Sequence, residues 1–205
     1  MDAMKKLRMQ RERRSNDILD TAEALFLEKG YAATTLKQVA EACKVTRPVI
    51  YEHYPDKEEL FLACAYRARN QFELELSTVL DNEKDSYEQI VYRAADVFFS
   101  MLEKNPKRWM MLFGATLASS GKLSEGLSKL RQGTIDKIAA MIFSQFKELA
   151  DKHSVCMNAY AISGVGEQLG RWWINNPTQP KSLVIEHYVR FVLGGINLAL
   201  QSEAL

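Results

Sequence analysis

The stretch that determines the fold spans residues 15–57 and has the sequence SNDILDTAEALFLEKGYAATTLKQVAEACKVTRPVIYEHYPDK. Its apolar side chains recur with the helical period, as Ile18, Ala22 and Phe26 do on one face of a first predicted helix. Gly30 predicts the end of that helix, because glycine is common just past a helix C-terminus. The stretch therefore opens with an amphipathic helix that we expect to start at its first residue.

Two shorter predicted helices follow, with a tight turn between them. Thr35 and Gln38 have the spacing of a capping box and predict the start of the second helix. Thr46 is a predicted cap for a third helix over residues 47–54, which Pro55 ends. A short turn between two such helices is typical of a helix-turn-helix, whose second helix enters the major groove of DNA. This stretch thus predicts a DNA-binding unit.

The third predicted helix carries the side chains that suit DNA. Arg47 can donate two hydrogen bonds to guanine O6 and N7, or bind a phosphate, and Thr46 can bind a phosphate while it caps the helix. Further donors that suit phosphate contacts are Tyr51, His53, Tyr54 and Lys57. Two alternatives stay open: packing of the tyrosines against the first helix, and an ordinary surface position for His53.

A basic arm precedes this unit, over residues 1–14. Six basic residues against two acidic ones give it a net charge of +4; they are Lys5, Lys6, Arg8, Arg11, Arg13 and Arg14 against Asp2 and Glu12. Such an arm can follow the phosphate backbone or enter the minor groove. A frayed, solvated terminus is the alternative. Because the arm lacks an apolar core, we do not expect it to act as a secretory signal.

In this order and spacing, the residues resemble the N-terminal signature of the TetR/AcrR family. The match covers residues 14–62 and includes Ile18-Leu19-Asp20-Thr21-Ala22, Leu25-Phe26, Gly30-Tyr31, Thr34-Thr35, Val39-Ala40, Val45-Thr46, Ile50-Tyr51-Glu52-His53-Tyr54 and Lys57-Glu58-Glu59-Leu60. The resemblance implies an all-helical homodimer that binds a palindromic operator. It also implies a C-terminal domain that binds a small molecule, after which the DNA is released.

The resemblance also implies which side chains lie at the DNA: Thr35, Thr46, Arg47, Val49, Tyr51, His53, Tyr54 and Lys57. Two positions depart from the family pattern, in which glycine or another small residue is common. Lys44 occupies a turn position that needs a positive φ, so we expect about 1 kcal/mol of strain there. Pro48 is tolerated in a first helical turn but has no N–H, and we predict an apolar contact with a thymine methyl group instead.

Helical periodicity continues over nearly all of the remaining chain. We predict further helices over residues 57–80, 86–104, 106–119, 124–151, 154–176 and 180–202. The fold class is therefore all-α. We expect an N-terminal three-helix helix-turn-helix DNA-binding domain over residues 1–60, which includes the arm, and a C-terminal helical ligand-binding and dimerisation domain over residues 61–205.

The second predicted domain is rich in methionine and aromatic residues, which suit an adaptable apolar ligand pocket. Its candidate pocket residues are Phe98, Met101, Trp109, Met110, Phe113, Met141, Met157 and Tyr160. Such a lining predicts a small, lipophilic effector. The alternative is ordinary core packing, which is the usual role of these residue types at helical spacing.

The last two predicted helices are apolar on more than one face, so they must be covered on both sides. A second copy of the chain would supply that cover through a two-fold interface. The candidate interface residues are Ile162, Gly166, Leu169, Trp173, Val184, His187, Phe191, Gly195 and Leu198. A single large core that covers both faces is the alternative.

Composition excludes other classes of protein. The chain has 205 residues, of which 47% are hydrophobic and 26% charged, as in an ordinary globular protein. Cys43, Cys64 and Cys156 form no disulfide or zinc pattern, so we expect reduced thiols in a cytoplasmic protein. The chain lacks an apolar run of about 20 residues, so no membrane partner is expected. Since no catalytic, metal or cofactor motif is present, we expect no enzymatic activity, no cofactor and no metal.

These observations predict a ligand-responsive transcriptional repressor that binds a palindromic operator as a homodimer. Two recognition helices about 34–36 Å apart would match one turn of DNA, and we expect the ligand to tilt the helix over residues 57–80 and so change that distance. The alternatives on the same fold are a transcriptional activator and a thiol-based redox-responsive regulator. An enzyme and a helical interaction module without a DNA role are the more distant alternatives.

Overall fold

The computed structural model describes residues 2–80, 85–113, 121–145 and 152–202. Within these ranges the chain forms helices and no strand, which confirms the all-α prediction. The helices are α1 (Asp2–Ala33), α2 (Leu36–Ala42), α3 (Arg47–His53), α4 (Lys57–Leu80), α5 (Tyr87–Lys104), α6 (Pro106–Phe113), α7 (Lys122–Gln145), α8 (Lys152–Ile174) and α9 (Lys181–Ser202). Across the same ranges, every helix is too short or too polar to pass through a lipid bilayer.

The first three helices follow the local signals of the sequence. Gly30 interrupts α1 with φ 82° and ψ 165°, outside the helical region. Thr35 and Gln38 form both hydrogen bonds of the predicted capping box at α2. Lys44 has φ 55° in the turn between α2 and α3, which is the predicted positive φ, at a cost of about 1 kcal/mol. Tyr54 ends α3 in an extended conformation, because a residue that precedes proline avoids the helical region.

Helix α1 begins much earlier than predicted, at Asp2 rather than at Ser15. The arm consists mostly of Lys, Arg, Met, Gln, Glu and Leu, which are strong helix formers. Arg8 Nε lies 2.9 Å from Glu12 Oε1, one turn later, which adds an exposed ion pair. All side chains from position 4 to position 14 are exposed. The arm was therefore missed as a helix because it has no buried apolar face to create a periodic pattern.

The later helices begin within two residues of the predicted positions. Ser86 forms a complete capping box with Gln89 at the start of α5. Helix α6 is described as far as Phe113, and residues 114–119 of its predicted span lie outside the described residues. Residues 146–151 of the predicted seventh helix also lie outside them.

The described chain divides into two compact units. The first contains residues 2–68 and 121–127, and the second contains residues 69–113 and 128–202. In the first unit, Lys122 Nζ lies 2.6 Å from Glu59 Oε1 and 3.4 Å from Asp56 Oδ2, and Leu123 is buried. No pattern in the sequence indicated this addition from α7. The predicted boundary between a DNA-binding domain and a ligand-binding domain, between residues 60 and 61, stays a prediction.

The first unit has a small core to which α1, α2, α3 and α4 each contribute. Each of these helices supplies a large aliphatic side chain that is fully buried: Ile18, Val39, Ile50 and Leu60. Arg67 of α4 adds a polar link to α1, with its two Nη atoms 2.6 Å from Asp20 Oδ1 and 2.5 Å from Glu23 Oε2. Because α3 is buried along one side, its register relative to the other helices is fixed.

The second unit is built around α5, which packs against α6, α8 and α9. Phe98 of α5 lies within 6.2 Å, centroid to centroid, of the rings of Phe72, Phe99, Trp109 and Phe113. A Cβ atom at Gly170 would lie 2.5 Å from Trp109 Cζ2, so only glycine permits this approach of α8. The aromatic cluster joins α4, α5 and α6, and Gly170 brings α8 against it.

Candidate DNA-binding surface and ligand cavity

Helix α3 has an inner and an outer face. Ile50 is fully buried and Tyr54, one turn later, is almost so. Arg47 and Pro48 are exposed, and Tyr51 keeps 52% of its surface accessible. The outer face at the start of the helix therefore offers a guanidinium, a pyrrolidine ring and a phenol to a partner.

Tyr54 takes the packing alternative rather than the predicted DNA contact. Its hydroxyl lies 2.8 Å from Ser15 Oγ of α1, within hydrogen-bond distance. Burial raises the pKa of the phenol, and the Ser15 hydrogen bond only partly offsets that rise. The side chain joins α3 to α1 and belongs to the core, because it follows Ile50 by one helical turn.

One surface depression brings together four of the predicted DNA-contacting residues. It is lined by Thr35, Arg47, Tyr51 and Lys57, together with Thr34, Leu36 and Lys37. Lys57 Nζ donates to the Tyr31 carbonyl at 3.0 Å and lies 4.2 Å from the centroid of the Tyr31 ring. The chain itself thus holds the ammonium in place at the edge of the depression. Lys37 was missed in the sequence because a single lysine on a short helix has no distinguishing pattern.

A second depression lies on the other side of α3. One wall contains Thr46, Val49 and His53, and the facing wall is formed by the arm of α1. The arm side chains in that wall are Leu7, Gln10, Arg11, Arg13 and Arg14, and Lys44 also contributes. Burial and the positive charges of Arg11 and Arg14 lower the pKa of His53, and Glu52 opposes the shift. The structure therefore brings the basic arm and the predicted recognition helix to one surface.

The start of α3 lies where the sequence predicted it, but the Thr46 side chain does not cap it by a hydrogen bond. Thr46 is the N-cap residue, and within the described helix its side chain makes no capping hydrogen bond. The Thr46 carbonyl accepts from Val49 N at 3.1 Å. Pro48 stands in the first turn, where its missing N–H costs no helical hydrogen bond. Thr46 and Pro48 are both exposed at this edge.

The second unit encloses an apolar cavity of about 100 Å³. Its lining comes from α4, α5, α6, α7, α8 and α9, and three of the predicted pocket residues line it: Phe98, Phe113 and Met141. Aliphatic side chains that were not singled out in the sequence supply much of the rest, among them Leu76, Ile90, Val91, Ile138, Ile142, Val192 and Ile196. Spaced aliphatic residues look the same in sequence whether they fill a core or line a cavity.

The other predicted pocket residues lie outside the cavity. Trp109 is fully buried and packs against Phe98 instead of lining the space. Met101 is half-buried. Three side chains point to the surface, which are Met110, Met157 and Tyr160. The correction has one physical reason: successive helical residues point about 100° apart, so neighbours such as the pair at positions 109 and 110 occupy different environments.

Polar groups are few in the cavity. Glu167 accepts from Ser163 Oγ at 3.4 Å and pairs with Arg131 Nε at 3.2 Å. Lys137 Nζ lies 2.6 Å from Glu73 Oε2. Tyr188 also lines the space, and burial raises the pKa of its phenol, so the hydroxyl stays protonated and able to donate. A ligand here would meet hydrocarbon on most sides and very few hydrogen-bonding groups.

The predicted interface residues separate into an inner and an outer set. Ile162 and Gly166 line the cavity, and Trp173 and Val184 are buried in the chain's own core. The Trp173 indole Nε1 donates to the Gln179 carbonyl at 2.8 Å. These four residues are therefore covered by the chain's own core, and their assignment to the dimer interface was wrong. They are covered because α8 and α9 both pack against α5.

The outer set forms an apolar face on α8 and α9. Phe191 keeps 67% of its surface accessible and Leu198 keeps 66%. His187 and Gly195 are also exposed, and Leu169 is half-buried. No described atom lies within 4 Å of a Cβ built at Gly195, so the backbone there is open to close approach. Exposed Trp172, which was not singled out in the sequence, belongs to the same face.

The cysteines differ in exposure. Cys64 is buried, and burial is the main cause that raises the pKa of its thiol to about 12, so it is inert as a nucleophile. Cys43 is half-buried and Cys156 is exposed.

Among the described residues, the His, Cys, Asp and Glu side chains form no group of three that could hold a metal ion.

Comparison with known proteins places the segment that contains α2 and α3 in a family. Residues 18–64 match the family of "Bacterial regulatory proteins, tetR family". The matched segment includes α2, α3 and the turn between them. It thus contains both the inner residues that fix α3 and the outer residues that line the first depression.

Characterised proteins match beyond this segment. The chain is 24% identical to the HTH-type transcriptional activator FasR of Mycolicibacterium smegmatis over 191 residues, which are 93% of this chain and 86% of FasR. It is 26% identical over 126 residues to IcaR of Staphylococcus epidermidis, a negative transcriptional regulator of the icaADBC biofilm operon. That match covers 59% of this chain and 65% of IcaR.

Solved structures share the helical architecture. The transcriptional regulator FadR of Bacillus subtilis, in complex with stearoyl-CoA, superposes with a TM-score of 0.74 at 18% identity. The superposition covers 87% of this chain and 97% of FadR. At this identity the likeness establishes the fold: an N-terminal helix-turn-helix followed by a larger helical domain.

Proposed function

We propose that this chain is a repressor that binds a palindromic operator as a homodimer and is released from it by a small lipophilic molecule. The proposal starts from the family, because the chain belongs to the tetR family of bacterial regulatory proteins. The family is one of DNA-binding transcriptional regulators, so DNA binding is the shared function from which the proposal starts. The operator, the dimer and the effector are the parts that we propose.

The outer edge of α3 is the single observation that carries the proposal. Thr46, Arg47 and Pro48 are exposed at the start of the helix, while Ile50 is locked in the core. The first residues of a recognition helix are the ones that contact base edges in the major groove. We assign Arg47 to a guanine, the Thr46 hydroxyl to a phosphate and the Pro48 ring to a thymine methyl group.

Selection from random-sequence duplexes, each about three helical turns long, tests this assignment. We expect the wild-type protein to enrich an inverted repeat whose half-sites are one helical turn apart, with an affinity that falls steeply as salt rises. Recovered duplexes that match the input library would contradict sequence-specific binding. An enriched single half-site without its repeat would contradict the homodimer and leave DNA recognition in place.

The homodimer is supported by the apolar face of α8 and α9. Phe191, Leu198 and Trp172 expose large apolar side chains on this face. A patch of this kind on a folded domain marks a surface that a partner covers. A second copy of the same face is the simplest such partner, because a two-fold axis makes one patch complementary to itself. Gly195 would allow the two backbones to approach closely.

The effector proposal rests on the cavity. The cavity volume of about 100 Å³ is smaller than the ~150 Å³ apolar cavity that holds benzene in another protein. A ligand must therefore widen the space, and a thin alkyl chain requires the least widening. Stearoyl-CoA is the ligand in the FadR structure. We propose a long-chain acyl group as the effector class for this chain.

Helix α4 provides a route from ligand to DNA. Phe72 and Leu76 of its C-terminal half line the cavity, and its N-terminal half begins at Lys57. We propose that widening the cavity displaces α4 and thereby changes the distance between the two recognition helices of the dimer. The ligand acts only insofar as it binds the released conformation better, and couplings of ~1–3 kcal/mol are typical.

Filling the cavity tests the effector proposal. Ala94 lines the space and Ala161 is exposed on α8, so A94L adds three carbons inside the cavity and A161L adds them in solvent. Stearoyl-CoA should release wild-type protein and A161L from DNA alike, and A94L should need about tenfold more, a loss of roughly 1.4 kcal/mol in ligand binding. Equal release of all three proteins would place the ligand elsewhere, and no release of any would exclude the acyl class.

Activation is the second candidate function, since FasR is an activator and its match spans 93% of this chain. Reporter transcription from the selected operator, measured with and without the regulator, distinguishes repression from activation. We expect transcription to rise when the regulator is removed. A fall would assign the chain to the activators without affecting the DNA-binding proposal.

A further inference from the structure

The N-terminal arm is a helix that continues α1 beyond the DNA-binding unit predicted from the sequence. Residues 2–14 add roughly 20 Å of helix at 1.5 Å per residue. The hydrogen bond between Ser15 and Tyr54 anchors the base of the arm to the end of α3. Because the arm is already helical and anchored, side chains on it lose less conformational freedom on binding than those of a loose terminus.

The arm has two different basic faces. Gln10, Arg11 and Arg14 lie on the side that lines the depression shared with α3, where Leu7 continues the same helical face. Lys5 and Arg8 lie on another side, and Arg8 is paired with Glu12 at 2.9 Å. Positive charge is thus present on both faces, but only one of them lies beside the recognition helix.

The shared depression has the chemistry of an anion site. Four cationic side chains line it, which are Arg11, Arg13, Arg14 and Lys44, against the two carboxylates of Asp17 and Glu52. The positive charges of Arg11 and Arg14 reach His53 on the facing wall, where they and burial lower the pKa of the imidazole. An anion at this place would meet positive charge from the arm and from the turn before α3.

We propose that the Arg11–Arg14 face of the helical arm binds backbone phosphates of the DNA whose bases α3 contacts. The inference rests on the proposed DNA-binding function and extends its footprint along the duplex. DNA fits better than another polyanion because Thr46 and Val49, at the start of α3, line the same depression. A duplex that meets Thr46 is therefore within reach of the arm, which binds it without base preference.

Two double variants separate the faces. R11A/R14A removes two positive charges from the α3 side, and K5A/R8A removes two from the other side of the same helix. Alanine is a strong helix former and all four positions are exposed, so both variants should keep the fold and the helicity of the arm. A third variant, R11K/R14K, keeps the charges and should restore phosphate binding.

The readout is the affinity for a random-sequence duplex, measured by fluorescence anisotropy over a series of salt concentrations. R11A/R14A should flatten the plot of log affinity against log salt by about 0.9 for each phosphate that the arm no longer binds. K5A/R8A and R11K/R14K should keep the wild-type slope. These three results together would support the arm as a specific phosphate-binding face.

Three results would overturn it. An unchanged slope for R11A/R14A would show that the arm does not touch DNA, although wild-type binding and the proposed function would stand. If R11A/R14A and K5A/R8A flatten the salt dependence of the affinity equally, the arm attracts DNA only through its overall positive charge. A wild-type protein that binds vesicles of anionic lipid but not the duplex would remove the proposed DNA function together with this inference.

Discussion

Helices α3 and α9 are both buried on one side and exposed on the other, but their exposed sides differ: that of α3 is charged and that of α9 is apolar. Each buries one side in its own unit, through Ile50 in α3 and through Val184 and Val192 in α9. The outer side of α3 carries Arg47, whereas the outer side of α9 carries Phe191. A charged outer face suits phosphates and base edges, and an apolar outer face is stable only when another protein surface covers it.

A class of partner can thus be assigned from the exposed side of a helix once the buried side is known. The same division separates two kinds of substitution in this chain. Changes on the buried side should alter the stability of the unit, and changes on the exposed side should alter binding. Substitutions in α3, in α9 and in the arm put that division to the test.

The largest effect should come from the buried side of α3. Ile50→Ala leaves a cavity in a fully buried position and should lower the free energy of unfolding by ~2–5 kcal/mol, measured by urea denaturation. Its neighbour Tyr51 is exposed, and Tyr51→Ala should change stability by less than about 0.5 kcal/mol while it weakens DNA binding. Equal stability losses for both variants would refute the assignment of inner and outer faces.

The next effect concerns the outer side of α9. Phe191→Glu places a charge in the proposed dimer interface and should weaken association by ~2–4 kcal/mol, seen in analytical ultracentrifugation as a shift to monomer. Leu74→Glu, at a side chain that is 69% exposed on α4, is the matched control and should leave the mass unchanged. A monomeric wild type at all concentrations would contradict the dimer outright.

A smaller effect should separate the two tyrosines of α3. Tyr54→Phe removes the hydrogen bond to Ser15 and should cost ~0.5–1.5 kcal/mol of stability, measured by thermal unfolding. DNA affinity under conditions where both proteins are folded should be that of the wild type, because the hydroxyl faces α1. A marked loss of DNA affinity without a loss of stability would show instead that the Tyr54 hydroxyl contacts DNA.

The smallest effect is a change in proton affinity on the exposed side. Removing the positive charges in R11A/R14A should raise the pKa of His53 toward its ordinary value of about 6.5, since those charges disfavour the imidazolium. Burial, the larger cause, should keep the pKa of His53 somewhat below that value. NMR titration of the ring reports the shift, and K5A/R8A should leave it unchanged. An unaltered His53 in both variants would place the arm away from α3.

Features set by neighbouring residues along the chain could be predicted from the sequence. The capping box at Thr35 and Gln38, the interruption at Gly30 and the positive φ at Lys44 all have local causes, and the structure shows each of them. The outer position of Arg47 follows equally from its place at the start of a short helix. Local signals were sufficient for the fold class and for the exposure of the first residues of α3.

Features set by packing between distant segments could not be predicted in this way. Trp109 and Met110 are adjacent, yet one is fully buried against Phe98 and the other is exposed. Gly166 was assigned to the interface but lines the cavity, since its partners Tyr188 and Phe98 come from other helices. Composition predicted an apolar site, and the packing of six helices, α4 to α9, determines which residues line the cavity.

Substitution of Arg47 decides whether the exposed start of α3 contacts the bases of DNA. Sequence preferences of wild-type protein, R47A and the charge-matched control K29A are measured on the same selected duplexes. We expect R47A to bind ~1–3 kcal/mol more weakly and to lose preference at one base pair of each half-site, with K29A like the wild type. Full affinity and unchanged preference in R47A would show that another part of the protein reads the bases.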